Sequence, residues 1–238
     1  ELAGVLRALG SEVSVVALEI RVLATFDTMI SDVLMDEMRK QGIALHLGFQ
    51  VAGLARTDTG IALDASDGGR LAGFDCVIWA VGRAPNTGEL DLAKAVVDLH
   101  ANGIVPTDEF QNTNVPGIYA IGDITGRHPL TPVAIAAGRR LAERLFDDQP
   151  TRHVDYANVP SVVFAHPPVG TVGLTEQQAR ERHSRVTVYQ TDFTPMRHAL
   201  SKHGVTTAMK LVCVGEEQRV AGITLSATTS TKCCRASR

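Results

Sequence analysis

The sequence predicts an α/β fold in which partial doubly wound parallel sheets are followed by part of an antiparallel α+β domain. Helical and strand patterns alternate over residues 1–47, which is typical of a doubly wound sheet. Short segments separated by Thr-Gly and Asp-Gly-Gly turns follow over residues 51–74 and predict an antiparallel meander. From Val159 onward, strand patterns dominate and predict an antiparallel sheet.

The first helices and strands follow from the spacing of apolar side chains. Helices are predicted at 1–9 and 26–40, and strands at 12–18 and 43–47. Because nothing before Glu1 caps the first helix, we expect residue 1 to be an interior position of a longer protein.

Two further buried strands are predicted in the middle of the chain. Cys76–Val81 and Ile118–Ile121 are apolar runs without alternation, which is typical of strands buried on both faces. Residues 86–114 between them predict an irregular connection with one short helical patch.

A carboxylate and a helix start follow the second of these strands. Asp123 comes just past the strand, and Thr131 is expected to cap a helix over residues 131–146. Pro132 suits the first turn, where a missing N–H costs nothing. Because ligands of open parallel sheets bind beyond the carboxyl ends of strands, a carboxylate here suits a sugar or sugar-alcohol hydroxyl.

The last third of the chain predicts four strands and one helix. The strands are expected at 161–164, 186–189, 208–214 and 219–225. The helix begins at Thr175, and Gln178 is placed to complete a capping box.

Composition and charge exclude several classes of protein. The 238 residues are 45% apolar, as in a globular chain, and a net charge of −3 argues against a nucleic-acid partner. No run approaches the roughly 20 apolar residues of a membrane-spanning helix, and no secretory signal is visible. The four cysteines form no disulfide framework, and Cys76 and Cys213 are expected to be buried thiols. A reducing cytoplasm is the simplest compartment.

Several long motifs occur in one order along the chain. They are Cys76–Asn86, Phe110–Asn114, Gly117–Asp123, Thr131–Arg140, Val162–Glu176 and Met209–Val214. Together they resemble the flavin-dependent pyridine nucleotide-disulfide oxidoreductases, and their details resemble the glutathione reductases of that family from Glu1 to about Leu225. The resemblance implies a homodimeric enzyme that passes electrons from NADPH through FAD to glutathione disulfide.

The resemblance also implies a division into domains. Residues 1–83 correspond to the C-terminal part of the NAD(P)-binding domain, and 84–150 to the second segment of the FAD-binding domain. Residues 151–225 correspond to part of the interface domain, which forms the dimer.

The tail after Leu225 has no hydrophobic pattern. A shift of one base permits Val-Asp-Glu-Met-Leu-Gln-Gly-Phe there, and glutathione reductases carry a very similar segment at this point. Residues 226–238 are therefore interpreted as an out-of-frame tail. A disordered tail is one alternative, and a metal or redox role for Cys233 and Cys234 is another, although their spacing matches no zinc pattern.

Through this resemblance, six residues are candidates for cofactor binding: Glu1, Glu19, Arg21, Arg83, Asp123 and Thr131. Glu1 matches a glutamate near the nicotinamide and the flavin, and Arg83 matches an arginine beside the nicotinamide dinucleotide. Asp123 matches the residue that binds the ribitol chain of the flavin. Thr131 matches the residue whose backbone faces the isoalloxazine ring. The alternative for each is an ordinary surface charge, turn residue or helix cap.

The choice between NADPH and NADH depends on the residues that follow the strand at 12–18. A carboxylate there favours NAD through the ribose hydroxyl, whereas arginines favour the extra phosphate of NADP. Many glutathione reductases have two arginines here, but those positions hold Leu18 and Ala24 in this chain, with Glu19 and Arg21 between them. Arg21 suits the phosphate and Glu19 repels it, so NADPH is expected as the family default and NADH is the alternative.

Arg139 is the candidate for substrate binding, because it matches the family arginine that pairs with a glutathione carboxylate. No catalytic residue and no metal ligand are assigned. The family's redox cysteine pair and catalytic histidine have no counterpart in these segments, so the chain alone is expected to be inactive. His166 belongs to the His-Pro-Pro motif of the interface domain, and His198 and His203 are expected to be surface or loop residues.

Two alternative functions stay open. One is a related flavoprotein disulfide reductase of the dihydrolipoamide, mercuric or trypanothione type, which the cysteine-containing half would distinguish. The other is a non-catalytic nucleotide-binding module, which requires these residues to fold alone.

Overall fold

Residues 1–200 and 204–227 are described by the computed structural model, apart from the side chain of Arg197. The helices are α1 (Leu2–Ala8), α2 (Thr28–Lys40), α3 (Thr131–Phe146) and α4 (Glu176–Arg182). The strands are β1 (Ser14–Ala17), β2 (Ala44–Leu47), β3 (Val51–Thr57), β4 (Gly60–Ala65), β5 (Arg70–Phe74), β6 (Ser161–Val163), β7 (Val169–Gly173), β8 (Val186–Phe193), β9 (Thr207–Val214) and β10 (Arg219–Ser226). His203 lies outside the described residues, and so do residues 228–238 of the tail predicted over 226–238, including Cys233 and Cys234.

The chain divides into two compact units. The first consists of residues 1–77 together with those from 158 onward, and the second consists of residues 78–157. The first unit contains both parallel and antiparallel sheets with helices against them, so the predicted α/β class is confirmed.

In the first unit, helix α2 packs against two different sheets. Strands β1 and β2 form a parallel pair, and Leu34 and Met38 of α2 pack against Val15 and Leu45 of these strands. Ile30, on the same helix, packs against the antiparallel sheet. The meander β3-β4-β5 is antiparallel, as the Gly-rich turns predict.

The antiparallel sheet of the first unit has the strand order β6-β7-β10-β9-β8. Four of its strands were predicted from sequence, but β7 was not, because Pro167, Pro168 and two glycines make this stretch resemble a loop. Helix α4 begins with the predicted capping box, since Thr175 and Gln178 each accept a hydrogen bond from the backbone of the other.

Neither of the two buried strands predicted in the middle of the chain is present. Cys76–Val81 forms no strand, and Ile78, Trp79 and Val81 are largely exposed. Ile118–Ile121 contributes only one isolated bridge, between Tyr119 and Asn112. An apolar run becomes a buried strand only when it has neighbouring strands on both edges. In the described residues, no regular strand lies beside either of these two runs.

The second unit has a small core of its own. Val97, Val105 and Ala120 are buried together. Residues 86–114 include two single-turn 3₁₀ helices, in agreement with the predicted irregular connection. Cys76, predicted to be buried, is exposed because its strand does not form, whereas Cys213 is buried in β9 as expected. Among the residues that the structure describes, no helix is both long and apolar enough to span a bilayer.

Candidate cofactor-binding sites

In the second unit, the turn that carries Asp123 lies directly against helix α3. Gly122 starts this turn with φ +76°, and a Cβ there would lie 3.3 Å from the Cβ of Ala134. A Cβ on Gly138, one turn further along α3, would lie 3.3 Å from the Cδ1 of Ile121. Small residues on both elements therefore let the backbone approach α3 closely and place Asp123 near the start of that helix.

Asp123 and Arg83, two of the predicted cofactor residues, are brought together. Nη1 of Arg83 lies 3.6 Å from Oδ2 of Asp123, and the two side chains are 75% and 55% exposed. A pair this exposed is weakly held, because water screens its charges. Both groups therefore remain accessible to a ligand.

The start of α3 differs from the prediction that Thr131 caps it. Leu130 occupies the N-cap position, and its carbonyl accepts hydrogen bonds from the N–H groups of Val133 and Ala134. Thr131 is already helical, and no side chain of the described residues caps this helix. Pro132 has no N–H, and those of Val133 and Ala134 bond to Leu130, so in the described residues the N–H of Thr131 is the donor left open in the first turn. This end of α3 also keeps the partial positive charge of a helix N-terminus. Pro132 lies in the first turn as predicted.

Arg139 lies on the exposed surface of α3. Its neighbours on that helix are engaged: Arg140 pairs with Glu143, and Arg144 donates to Asn112. Within the described part of the chain, Arg139 makes no side-chain hydrogen bond or ion pair with another residue. Its guanidinium is thus available for a planar anion such as a carboxylate.

In the first unit, Glu1 accepts a hydrogen bond at Oε1 from the N–H of Phe164, over 2.8 Å. Glu1 and His166 help to line a mainly apolar cleft of about 170 Å³. His166 packs tightly on α1, since a Cβ on Gly4 would lie 2.5 Å from its Nδ1, and its carbonyl accepts a hydrogen bond from Gln41. The assignment of Glu1 to the nicotinamide stays a prediction.

Glu19 and Arg21 lie in the loop that leaves the carboxyl end of β1. The carbonyl of Glu19 accepts a hydrogen bond from the N–H of Gly48, and the Glu19 side chain is exposed. Arg21 forms an ion pair with Asp32 of α2. Asp32 was not considered from sequence, because it is separated from Arg21 by a loop and a helix start.

A largely buried charge network, also missed from sequence, connects the start of α2 with α4 and β9 in the first unit. Oδ1 of Asp27 lies 2.9 Å from Nζ of Lys210 and accepts from the N–H of Met29, while Oδ2 accepts from the N–H of Glu176. Nζ of Lys210 lies 2.5 Å from Oε2 of Glu176. A lysine on the inward-facing register of an apolar strand was the signal that could have revealed it.

The network shifts the protonation of two of its members. Hydrogen bonds from Lys210 and Arg180 lower the pKa of Glu176 below its ordinary value. Burial alone would lower the pKa of Lys210, but hydrogen bonds to Glu176 and Asp27 outweigh burial and raise the pKa. These charges are therefore locked in a stabilising arrangement.

Comparison with known proteins identifies similar sequences and folds. The family described as pyridine nucleotide-disulphide oxidoreductase matches residues 1–138, and the dimerisation domain of that name matches residues 159–235. A glutathione reductase from Schizosaccharomyces pombe is 42% identical over 230 residues, which cover 94% of this chain and 50% of the relative.

Solved structures of a flavoprotein disulfide reductase have a similar fold. The Cu(II) complex of the HOCl-induced flavoprotein disulfide reductase RclA from Escherichia coli has a TM-score of 0.89 at 25% identity, covering 99% of this chain and 54% of that one. The Cu(II) complex of a cysteine-to-serine mutant of the same reductase has a TM-score of 0.90 at 25% identity, covering 99% and 53%. The chain thus spans about half the length of the relatives that it matches.

Proposed function

This chain belongs to the pyridine nucleotide-disulphide oxidoreductase family, and we propose that it supplies part of a flavin-dependent reductase of glutathione disulfide. The packing of the Asp123 turn against the N-terminus of α3 carries this proposal, because it places a carboxylate near a helix start whose Thr131 N–H is left open. The 42% identity to a glutathione reductase supports the choice of substrate.

The residues of the second unit suit FAD. Asp123 is exposed enough to accept a hydrogen bond from a ribitol hydroxyl, and the first turn of α3 offers the N–H of Thr131 and the positive end of the helix dipole to a polar ring edge. When bound, the flavin transfers electrons between a nicotinamide and a disulfide. Arg139, on the same helix, binds a glutathione carboxylate through its planar guanidinium.

The nicotinamide nucleotide is assigned to Glu1, Glu19, Arg21 and Arg83. The resemblance to glutathione reductases favours NADPH as the hydride donor, whereas the exposed carboxylate of Glu19 after β1 favours NADH.

The intact enzyme is proposed to be a cytoplasmic homodimer. The match to a dimerisation domain supports this proposal. One face of the antiparallel sheet also exposes Tyr189, Phe193, Met209 and Leu211, and Tyr189 lies opposite Leu211 in the β8–β9 register. The cysteine usage agrees with a reducing compartment.

The 238-residue chain alone is proposed to be inactive. In the described residues its cysteines are Cys76, which is exposed, and Cys213, which is buried, and both are free. A disulfide reductase needs a pair of accessible thiols that exchange with the substrate. Steady oxidation of NADPH or NADH by the purified chain that depends on glutathione disulfide would contradict this.

Binding of FAD to the purified chain tests the cofactor assignment. We expect quenching of flavin fluorescence on addition of the chain, and roughly tenfold weaker binding by Asp123→Asn, which loses a charge-assisted hydrogen bond. Asp108→Asn is the matched control, since Asp108 caps a turn in the same unit through bonds to Phe110 and Asn112. Equal FAD binding by the Asp123 variant and the unchanged chain would remove Asp123 from the site.

A further inference from the structure

The loop after β1 lies where a parallel sheet binds nucleotides. Strands β1 and β2 run parallel with Ala17 opposite Leu47, so their carboxyl ends meet at one edge. Hydrogen bonds from the N–H groups of Gly48 and Phe49 to the carbonyls of Glu19 and Ala17 hold the start of the loop at that edge. Ligands of open parallel sheets bind at this edge, and the residue after such a strand contacts the adenosine ribose.

Three charged side chains at this edge determine whether it binds a ribose with or without a 2′-phosphate. Glu19 is exposed, and Arg21 is the one basic residue of the loop over residues 18–25. Asp32 adds a second carboxylate, from the second turn of α2. One carboxylate is thus paired with the guanidinium and a second lies in the same loop, and this excess of negative charge disfavours a dianionic phosphate unless Arg21 is free to meet it.

Arg21 is not free in this structure. Its Nη1 bonds to Oδ1 of Asp32, and the two side chains are 38% and 54% exposed. Asp32 itself cannot move far, because the N-terminus of α2 is held by Asp27, whose carboxylate is bonded to Met29 and Lys210. The guanidinium is therefore drawn towards the helix, and a phosphate has to compete with Asp32 for it.

We propose, on the basis of the nucleotide function proposed above, that Asp32 sets the preference of this domain for the nucleotide without a 2′-phosphate. Asp32 is a positioning residue, since it holds Arg21 against α2. Glu19 accepts the hydrogen bond of the free 2′-hydroxyl. The domain therefore favours NADH over NADPH, and removal of the Asp32 charge releases the one group that recognises a 2′-phosphate.

Binding of 2′,5′-ADP and of 5′-AMP to the full chain, measured by isothermal titration calorimetry at low salt, tests this proposal. We expect the unchanged chain to prefer 5′-AMP. Asp32→Asn, which keeps the shape but removes the charge, raises the affinity for 2′,5′-ADP relative to 5′-AMP about tenfold, the effect of one hydrogen bond to a charged group. The gain declines with added salt, because the site is exposed.

Matched variants separate the charge of Asp32 from a general effect of charge on α2. Asp36→Asn, one turn along the helix and paired with Arg39, is expected to change the ratio less than about twofold. The double variant Arg21→Met with Asp32→Asn is expected to lack the increased affinity for 2′,5′-ADP relative to 5′-AMP. Glu19→Gln weakens binding of 5′-AMP severalfold without the gain for 2′,5′-ADP that Asp32→Asn brings.

The outcomes distinguish this inference from the proposed function. If the unchanged chain binds neither nucleotide, the nicotinamide-nucleotide assignment is wrong and the role of Asp32 falls with it. If the chain binds 5′-AMP but Asp32→Asn leaves the ratio unchanged, only the role of Asp32 is overturned. A strong preference of the unchanged chain for 2′,5′-ADP also overturns it. Thermal unfolding of each variant shows whether it is folded before binding is compared.

Discussion

Asp27 and Asp123 are both carboxylates on the approach to a helix, but their surroundings are opposite. The side chain of Asp27 is 1% exposed and bonded to Met29, Glu176 and Lys210. The side chain of Asp123 is 55% exposed and forms a distant ion pair with Arg83. The first carboxylate has its hydrogen-bonding capacity filled by the protein, and the second keeps that capacity for a ligand.

The contrast separates stability from binding. A buried charge is tolerated only when it is paired and hydrogen-bonded, so every partner of Asp27 matters to folding. An exposed ion pair contributes little to the free energy of folding. Folding therefore does not depend on Asp123 and Arg83, and both suit a role in binding. We therefore expect substitutions in the Asp27 network to lower the free energy of unfolding much more than substitutions of Asp123 or Arg83.

The largest effect is expected from Lys210→Met. Removing the ammonium leaves the buried carboxylate of Asp27 without its cation, so the free energy of unfolding should fall by about 3–5 kcal/mol. Urea titration followed by circular dichroism measures it. Arg39→Met is the control, because its pair with Asp36 is exposed and its removal should change stability by about 0–1 kcal/mol. Equal losses in both variants would contradict the distinction between buried and exposed pairs.

An intermediate loss of folding stability is expected when the pH is lowered, because Glu176 becomes protonated. Its folded pKa lies below the ordinary value of 4.5, because Lys210 and Arg180 hydrogen-bond the ionised form. Its contribution is therefore fully present above the ordinary pKa of 4.5 and is lost as pH falls through the folded pKa.

The variant Glu176→Gln isolates this contribution. Urea titrations at about pH 7, 5, 4 and 3 should show a shallower acid loss of stability for Glu176→Gln than for the unchanged chain, with the difference confined to pH below about 5. Identical acid slopes for the two chains would show that Glu176 does not titrate as the network requires.

The smallest effect is expected from Arg83→Met. Its pair with Asp123 spans 3.6 Å in a solvent-exposed position, so the stability of the second unit should change by about 0–1 kcal/mol. Urea titrations of the unchanged chain and the variant, followed by circular dichroism, measure the change. A loss comparable to that of Lys210→Met would mean that the Arg83–Asp123 pair is structural and not reserved for a ligand.

Much of the first unit could be predicted because its signals are local. The spacing of Ile30, Leu34 and Met38 identifies α2, and the cap at Thr175 depends on residues three positions apart. The meander follows from turn residues within a few positions of each strand. For the candidate sites, the similarity to motifs of the family identified Asp123 and Arg139. Both residues are exposed in the second unit.

The errors arise where the outcome depends on distant partners. Cys76–Val81 has the composition of a buried strand, yet no described strand lies beside it and its large apolar side chains stay exposed. β7 has the composition of a loop, yet it pairs with β6 on one edge and β10 on the other. Thr131 has the chemistry of a cap, but the helix already includes it and begins after Leu130.

The amino-acid sequence by itself determined the helices, most strands of the first unit and the family to which the chain belongs, because periodicity, turn chemistry and motif order are properties of neighbouring residues. Only the tertiary structure decided that Asp27 meets Lys210 across 183 positions of sequence and that Asp32 takes Arg21. Both contacts arise from the way α2 packs between sheets, and the energy of a charge depends on which groups surround it in space.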